Sequence, residues 1–292
     1  MDLVAEQIVV RRSGPLAGNV VVPGAKNSVL KLMATTLLVD GVTTLTNVPD
    51  IADVAIMGDL LAAIGVRSAW HPTEAHVLQL TNDGAISPVA PYELVERIRA
   101  SVNVLGPLLT RCGTVRLSLP GGDDFGSRPI NMHLDGLHAM GATFEISHGY
   151  VEAHAERLWG ADITFDFPSV GATENILTAA VHAKGTTVID NAAREPEIGD
   201  LCNFLIAMGA VIEGVGSSTL TVHGIERGSL RPVEHEVIAD RIQAATYVAA
   251  AAITGGEIRL RNARPEHMEM LLRRFIDMGI EITQQHDGMT VR

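Results

Sequence analysis

The stretch LLVDGVTTLTN, residues 37 to 47, passes from a helical pattern into a β-rich run through a single glycine. Before it, Val29, Leu30, Met33 and Leu37 recur at helical spacing. After it come the Val and Thr residues that strands favour. The same construction returns three times, as LLTRCGTVRLSLP at 108–120, AVHAKGTTVIDN at 180–191 and AAITGGEIRLRN at 251–262. The glycines are Gly41, Gly113, Gly185 and Gly256, spaced 72, 72 and 71 residues apart. In three copies an asparagine stands six residues further on (Asn47, Asn191, Asn262), whereas the second copy has Leu119 there.

A second marker runs out of phase with the first: LLAAIGV, LHAMGAT, LIAMGAV and IDMGIEI. Its glycines, Gly65, Gly141, Gly209 and Gly279, each follow an apolar helical stretch and precede a strand. A left-handed helix C-cap calls for glycine at that place. Each unit therefore reads helix, Gly, strand, loop, helix, Gly, strand. Four units of about 72 residues fill the chain of 292, and repeats of this size bury their faces against one another.

Composition narrows the function. Hydrophobic residues make up 47% and charged residues 19%, the balance of a globular protein. A net charge of -12 repels polyanions, which argues against nucleic acid or an anionic membrane surface as partner. Cys112 and Cys202 are too few for a disulfide framework and lie in no CxxC motif, as expected in a reducing cytoplasm. The longest apolar run, VAAAAI at 248–253, is too short to span a bilayer. No metal-ligand spacing is visible.

The openings of the four first helices are PGAKNSVLKL, RIRASVNVLG, SVGATENILT and ADRIQAATYV, carrying Lys26, Arg99, Thr173 and Asp240. Helix N-termini present unpaired N–H groups and a positive dipole end, so repeats packed about an axis could turn them towards an anion. Plain capping by Ser, Thr and Asn accounts for the small residues but not for the cations. The stretch LSLPGGDDFGSRPINMH at 117–133 poses a parallel choice. Gly and Asp suit a surface turn; two glycines, the carboxylates Asp123 and Asp124, and Arg128 also suit a closing segment that carries a proton donor beside a phosphate.

GAKNSVLKLMATTLL, RASVNVLGPLL, LPGGDDFGSRPINMHLDGL, SVGATENILTAA and NAAREPEIGDL, in that order along the whole chain, resemble the successive motifs of the enolpyruvyl transferase family, in particular its UDP-N-acetylglucosamine 1-carboxyvinyltransferases. The resemblance implies an inside-out α/β barrel of two three-repeat domains. It implies transfer of an enolpyruvyl group from phosphoenolpyruvate to the 3-hydroxyl of UDP-N-acetylglucosamine, in the first committed step of peptidoglycan synthesis, without metal or cofactor. Asp123 stands where most members carry a reactive cysteine and would be the general acid. Lys26 and Arg128, with Arg99 beside them, match phosphoenolpyruvate contacts, and Asn27 matches a sugar contact. Arg128, Pro129, Ile130, Asn131 and Met132, with Ser169, Val170 and Gly171, match the segments that hold the uridine diphosphate. Glu195 and Glu197 read as helix-starting residues, and His133 as a structural or orienting histidine.

Three departures stand out. Asn103 replaces an aromatic common in the family, Phe167 replaces a lysine, and four repeats are present where the family has six. The expected division is one complete three-repeat domain over 20–230, with 1–19 plus 231–292 forming a partial second one. On that division, little turnover is expected of four repeats alone. The alternatives are a fragment that binds UDP-sugar without turnover, or a transferase acting on another nucleotide.

Overall fold

The computed structural model describes residues 8–11, 14–121, 126 and 129–292. In chain order the elements are β1 (Ala17–Val21), α1 (Lys26–Thr35), β2 (Gly41–Thr46), α2 (Ala52–Ile64), β3 (Val66–Trp70), β4 (Leu78–Asn82), α3 (Tyr92–Val95), α4 (Leu105–Cys112) and β5 (Thr114–Ser118). There follow α5 (Asn131–Ala139), β6 (Thr143–Ser147), β7 (Tyr150–His154), β8 (Asp162–Thr164), α6 (Val170–Ala180), β9 (Thr186–Asp190), α7 (Pro196–Met208), β10 (Val211–Glu213) and β11 (Thr219–His223). The last are β12 (Glu234–Glu236), α8 (Arg241–Thr254), β13 (Glu257–Arg261), α9 (Glu269–Asp277), β14 (Ile282–Gln285) and β15 (Gly288–Val291). A 3-10 helix, Arg99–Val104, leads into α4.

The chain divides into two compact units, Gly24–Ile238 and the pair of segments up to Pro23 and from Ala239 to Arg292. The boundaries fall at 23/24 and 238/239 rather than near 20 and 230, for a reason visible in the pairing. β1 runs parallel to β13 in the smaller unit, whereas β12 runs parallel to β2 in the larger one.

Each repeat builds one sheet. Its strand after the first helix pairs antiparallel with the second strand of the hairpin that follows, giving the orders β2-β4-β3, β5-β7-β6, β9-β11-β10 and β13-β15-β14. A short parallel strand from elsewhere completes each sheet. In the larger unit the donors are β12 for the first sheet, a bridge at Val89 beside Arg116 for the second and β8 for the third. Repeat one thus supplies repeat two, repeat two supplies repeat three, and repeat three returns to repeat one. This closes a ring.

Inside the ring lie the first helices. In α1 every residue from Ser28 to Thr35 is buried, and in α6 every residue from Ala172 to Ala180. Helices buried on all sides belong at the centre, while strands that alternate buried and exposed, such as β9, form the outer wall. The helices approach closely at small residues: a side chain on Gly106 would come within 2.4 Å of the Asn175 carbonyl oxygen. The larger unit is therefore an α/β barrel turned inside out.

The repeat markers hold at the level of single torsions. Asn47, Asn191 and Asn262 all adopt left-handed backbone conformations, with φ of 54°, 54° and 61°. Asn tolerates this region better than other non-glycine residues. Each side-chain amide then donates to a backbone carbonyl, that of Val237, Phe165 and Val22 respectively. One marker shifts. In the fourth repeat the left-handed C-cap is Gly255, and Gly256 is glycine because a Cβ there would lie 2.0 Å from the Leu16 carbonyl oxygen.

Candidate active site

The ends at which the core helices begin carry most of the residues singled out in the sequence. Lys26 is the first residue of α1, half exposed, with Nζ 2.9 Å from Asp53 Oδ1. Asn27 follows it, exposed. The α1 N-terminus has no side-chain cap. Arg99 opens a 3-10 helix rather than an α-helix, and its Nη1 lies 3.5 Å from the Pro120 carbonyl at the base of the Gly-Asp segment. Thr173 lies fully buried within α6, not at its start, and takes the Ala193 N–H.

Pro129 is exposed, Ile130 is buried at the start of α5, Asn131 is the first residue of that helix, and Met132 packs partly against the core. Ser169 caps α6 by accepting the Ala172 N–H, ahead of Val170 and Gly171. Gly171 meets the ring of His133: a Cβ on it would lie 2.9 Å from the imidazole Cε1. Arg99, the 129–132 segment and the 169–171 segment are thereby gathered around His133. Asp123 and Arg128, with Gly122, Asp124, Phe125 and Ser127, lie outside the described residues. Gly121 is a close-packed glycine, since a Cβ there would sit 1.8 Å from the Glu96 carbonyl oxygen.

His133 is the organising residue of this end. Its Nδ1 lies 2.9 Å from the Asn175 amide nitrogen and accepts its proton, which places the ring hydrogen on Nε2. Asn175 also donates to the Val102 carbonyl and accepts the Gly106 N–H, so one side chain fixes α4, the 3-10 helix and the histidine together. Burial, and secondarily the Arg99 charge, push the His133 pKa down to about 4. It is neutral at physiological pH.

Two buried polar clusters beneath the site escaped the sequence reading. Lys31 of α1 pairs with Glu174 of α6, and Asn103 bonds to the same carboxylate. Asn103 therefore serves this cluster. Ser28 donates to Asp200 of α7, whose other oxygen lies 2.8 Å from His235 Nε2. These side chains tie the repeats to one another; i,i+4 patterns cannot signal contacts more than a hundred residues apart. Glu195 is the N-cap residue of α7 and Glu197, in its first turn, is buried. Phe167 is exposed just before Ser169. Among the described residues no group of His, Cys, Asp or Glu could hold a metal ion, and no helix is long and apolar enough to cross a membrane.

A ring of repeats with buried helices inside and sheets outside is an architecture shared with enolpyruvyl transferases. The enolpyruvyl transferase NikO from Streptomyces tendae superposes with a TM-score of 0.82 at 25% identity, over 96% of this chain and 66% of that one. An EPSP synthase from Acinetobacter baumannii, at 18% identity and a TM-score of 0.68, shares the fold. The sequence profile of the EPSP synthase (3-phosphoshikimate 1-carboxyvinyltransferase) family matches residues 10–292, and the chain belongs to that family. It is similar to the UDP-N-acetylglucosamine 1-carboxyvinyltransferases of Nocardia farcinica (51% identical over 98% of this chain and 68% of the relative) and Corynebacterium jeikeium (50%, 98% and 67%). The chain spans about two thirds of the length of these relatives.

Proposed function

We propose that this protein serves the transfer of the enolpyruvyl group of phosphoenolpyruvate to the 3-hydroxyl of UDP-N-acetylglucosamine, a cytoplasmic step of peptidoglycan synthesis. The observation that carries this reading is the 50% identity, over 98% of the chain, to relatives bearing that name. The geometry supports it. An Arg99 side chain at the base of the Gly-Asp segment and the uncapped start of α1 offer positive potential to phosphate groups, and the start of α6 belongs to the same unit. Lys26, Arg99 and Arg128 take phosphoenolpyruvate, Asn27 takes the sugar, and 128–132 with 169–171 take the uridine diphosphate.

The reaction needs three proton movements. The methylene carbon of phosphoenolpyruvate gains a proton, so that C2 accepts the sugar oxygen as its hydroxyl proton leaves. Loss of a proton from the new methyl group then expels phosphate and restores the double bond. Asp123 is assigned as the acid of the first step, which requires its carboxyl to hold a proton near neutral pH. A carboxylate in place of the family's thiol is a poor nucleophile, so epoxides that alkylate that thiol leave no adduct here.

Phosphate release with both substrates tests the chemistry. Little release is expected from these four repeats alone, and Asp123→Asn is expected to lower what there is by about two to four orders of magnitude; an unchanged rate would remove Asp123 from the mechanism. Calorimetric titration with UDP-N-acetylglucosamine tests the binding half, and no heat up to millimolar ligand would contradict it.

A further inference from the structure

The opposite ends of the core helices border a second cavity of about 460 Å³. Thr110 and Arg111 in the last turn of α4, and His182 just beyond α6, line it together with Leu38 to Asp40 after α1 and the link at 227–232 after β11. The α6 helix runs eleven residues, or about 16 Å, so this cavity lies well away from Ser169 to Gly171.

Three arginines line the cavity: Arg111, Arg227 and Arg231. Cations near helix C-termini ordinarily answer the orphan carbonyls and the negative dipole end. That accounts for Arg111, and Arg231 is held by carbonyls of its own link. Arg111 donates to the Leu37 carbonyl and pairs with Asp40, while Arg231 donates to the Gly228 and Leu230 carbonyls at 2.7 and 2.9 Å. The nearby helix ends are served by other groups as well. The Asn82 amide meets the Thr36 carbonyl, Gly113 N–H meets Leu109, and Ile225 N–H meets Val181.

Arg227 makes no hydrogen bond or ion pair among the described residues, although it is close enough to act electrostatically on His182 and Cys112. Asp40, the one carboxylate in the lining, is committed to Arg111. An uncommitted guanidinium on a cavity wall suits a carboxylate or phosphate from outside. His182 adds an acceptor. Its Nδ1 lies 3.2 Å from the Ile225 carbonyl and so carries the proton, leaving the lone pair on Nε2. Burial first, then Arg227 and Arg111, keep its pKa below the usual value, and the ring accepts a hydroxyl proton at neutral pH. Leu38, Val39, Leu230 and Pro232 supply apolar surface, and the volume suits a small ligand.

We propose that this cavity is a second binding site, for a small hydroxylated organic anion whose charged group meets Arg227, whose hydroxyl meets His182 and whose carbon body lies against Leu38 and Leu230. The charged group is a phosphate monoester or a carboxylate. Amide-resolved NMR titration of the full chain with glycerol 3-phosphate, and separately with glycerate, tests it. Saturable shifts at Thr110 to Gly113, His182 and Gly228 are expected with at least one probe, and the probe that succeeds identifies the charged group. Arg227→Ala should weaken that binding about tenfold or more, whereas Arg99→Ala should leave it unchanged. No saturable shift with either probe, or shifts insensitive to Arg227→Ala, would overturn the site.

Discussion

The helices α6 and α8 occupy the same position in consecutive repeats, yet their surroundings differ. All nine residues from Ala172 to Ala180 are buried in α6, whereas α8 buries only Ala244, Val248 and Ala251, a single stripe. Composition does not explain this, because α8 carries the apolar run VAAAAI and still leaves Ile253 87% exposed. What differs is the number of repeats in the unit, three in that of α6 and one in that of α8. The helix starts differ as well. The Asp240 carboxylate accepts the N–H groups of Ile242 and Gln243, filling the α8 N-terminus with the protein's own anion, whereas α1 has no side-chain cap. A repeat's sequence thus sets its local shape; its neighbours set burial, and the charge of the capping residue sets whether the helix start favours an anionic ligand.

The largest effect should come from the buried charges that bind core helices together. Lys31→Met leaves Glu174 buried without its cation and should cost about 3–5 kcal/mol by chemical denaturation. Adding Glu174→Leu should recover most of that loss. If the double variant is as unstable as the single one, packing rather than charge holds α1 to α6.

The next effect is a pH dependence confined to the larger unit. The folded His133 pKa of about 4 lies below its ordinary value of 6.5. The unfolded chain therefore binds a proton that the folded chain refuses, and stability present above pH 6.5 is lost as pH falls towards 4. The full loss amounts to about 3 kcal/mol. Urea denaturation of His133→Gln should show a shallower decline over that window, and an unchanged slope would place the titration elsewhere.

Smaller still are the asparagine markers, where the two units should agree. Asn47→Ala and Asn262→Ala each lose an amide hydrogen bond and strain a left-handed residue, a cost of about 1–2 kcal/mol. Asn→Gly at the same positions should recover part of it by relieving the backbone. A cost at Asn47 but none at Asn262 would mean that the marker depends on neighbours after all.

The glycine and asparagine markers were legible in the sequence because each answers a local backbone demand. Even there Gly256 misled, since adjacent glycines leave open which one takes the left-handed turn. Which helices go inside was not legible: α6 and α8 look alike until the returning strand β12 closes the ring, a pairing of Glu234 to Glu236 with Thr44 to Thr46 across nearly two hundred residues. At the site, cations and helix starts could be picked out by type. The Asn175–His133 clamp could not, because an asparagine inside an apolar helix carries no sign of the partner that another repeat will bring.

Amide hydrogen exchange with and without UDP-N-acetylglucosamine tests most directly the claim that the helix starts at Lys26, Arg99 and Val170, none of them capped by an acidic side chain, form the substrate site. The account predicts slowed exchange at 25–28, 99–103, 129–133 and 169–172, with 240–243 at the self-capped start of α8 unchanged. Protection absent from the first four segments, or equal at 240–243, would contradict it.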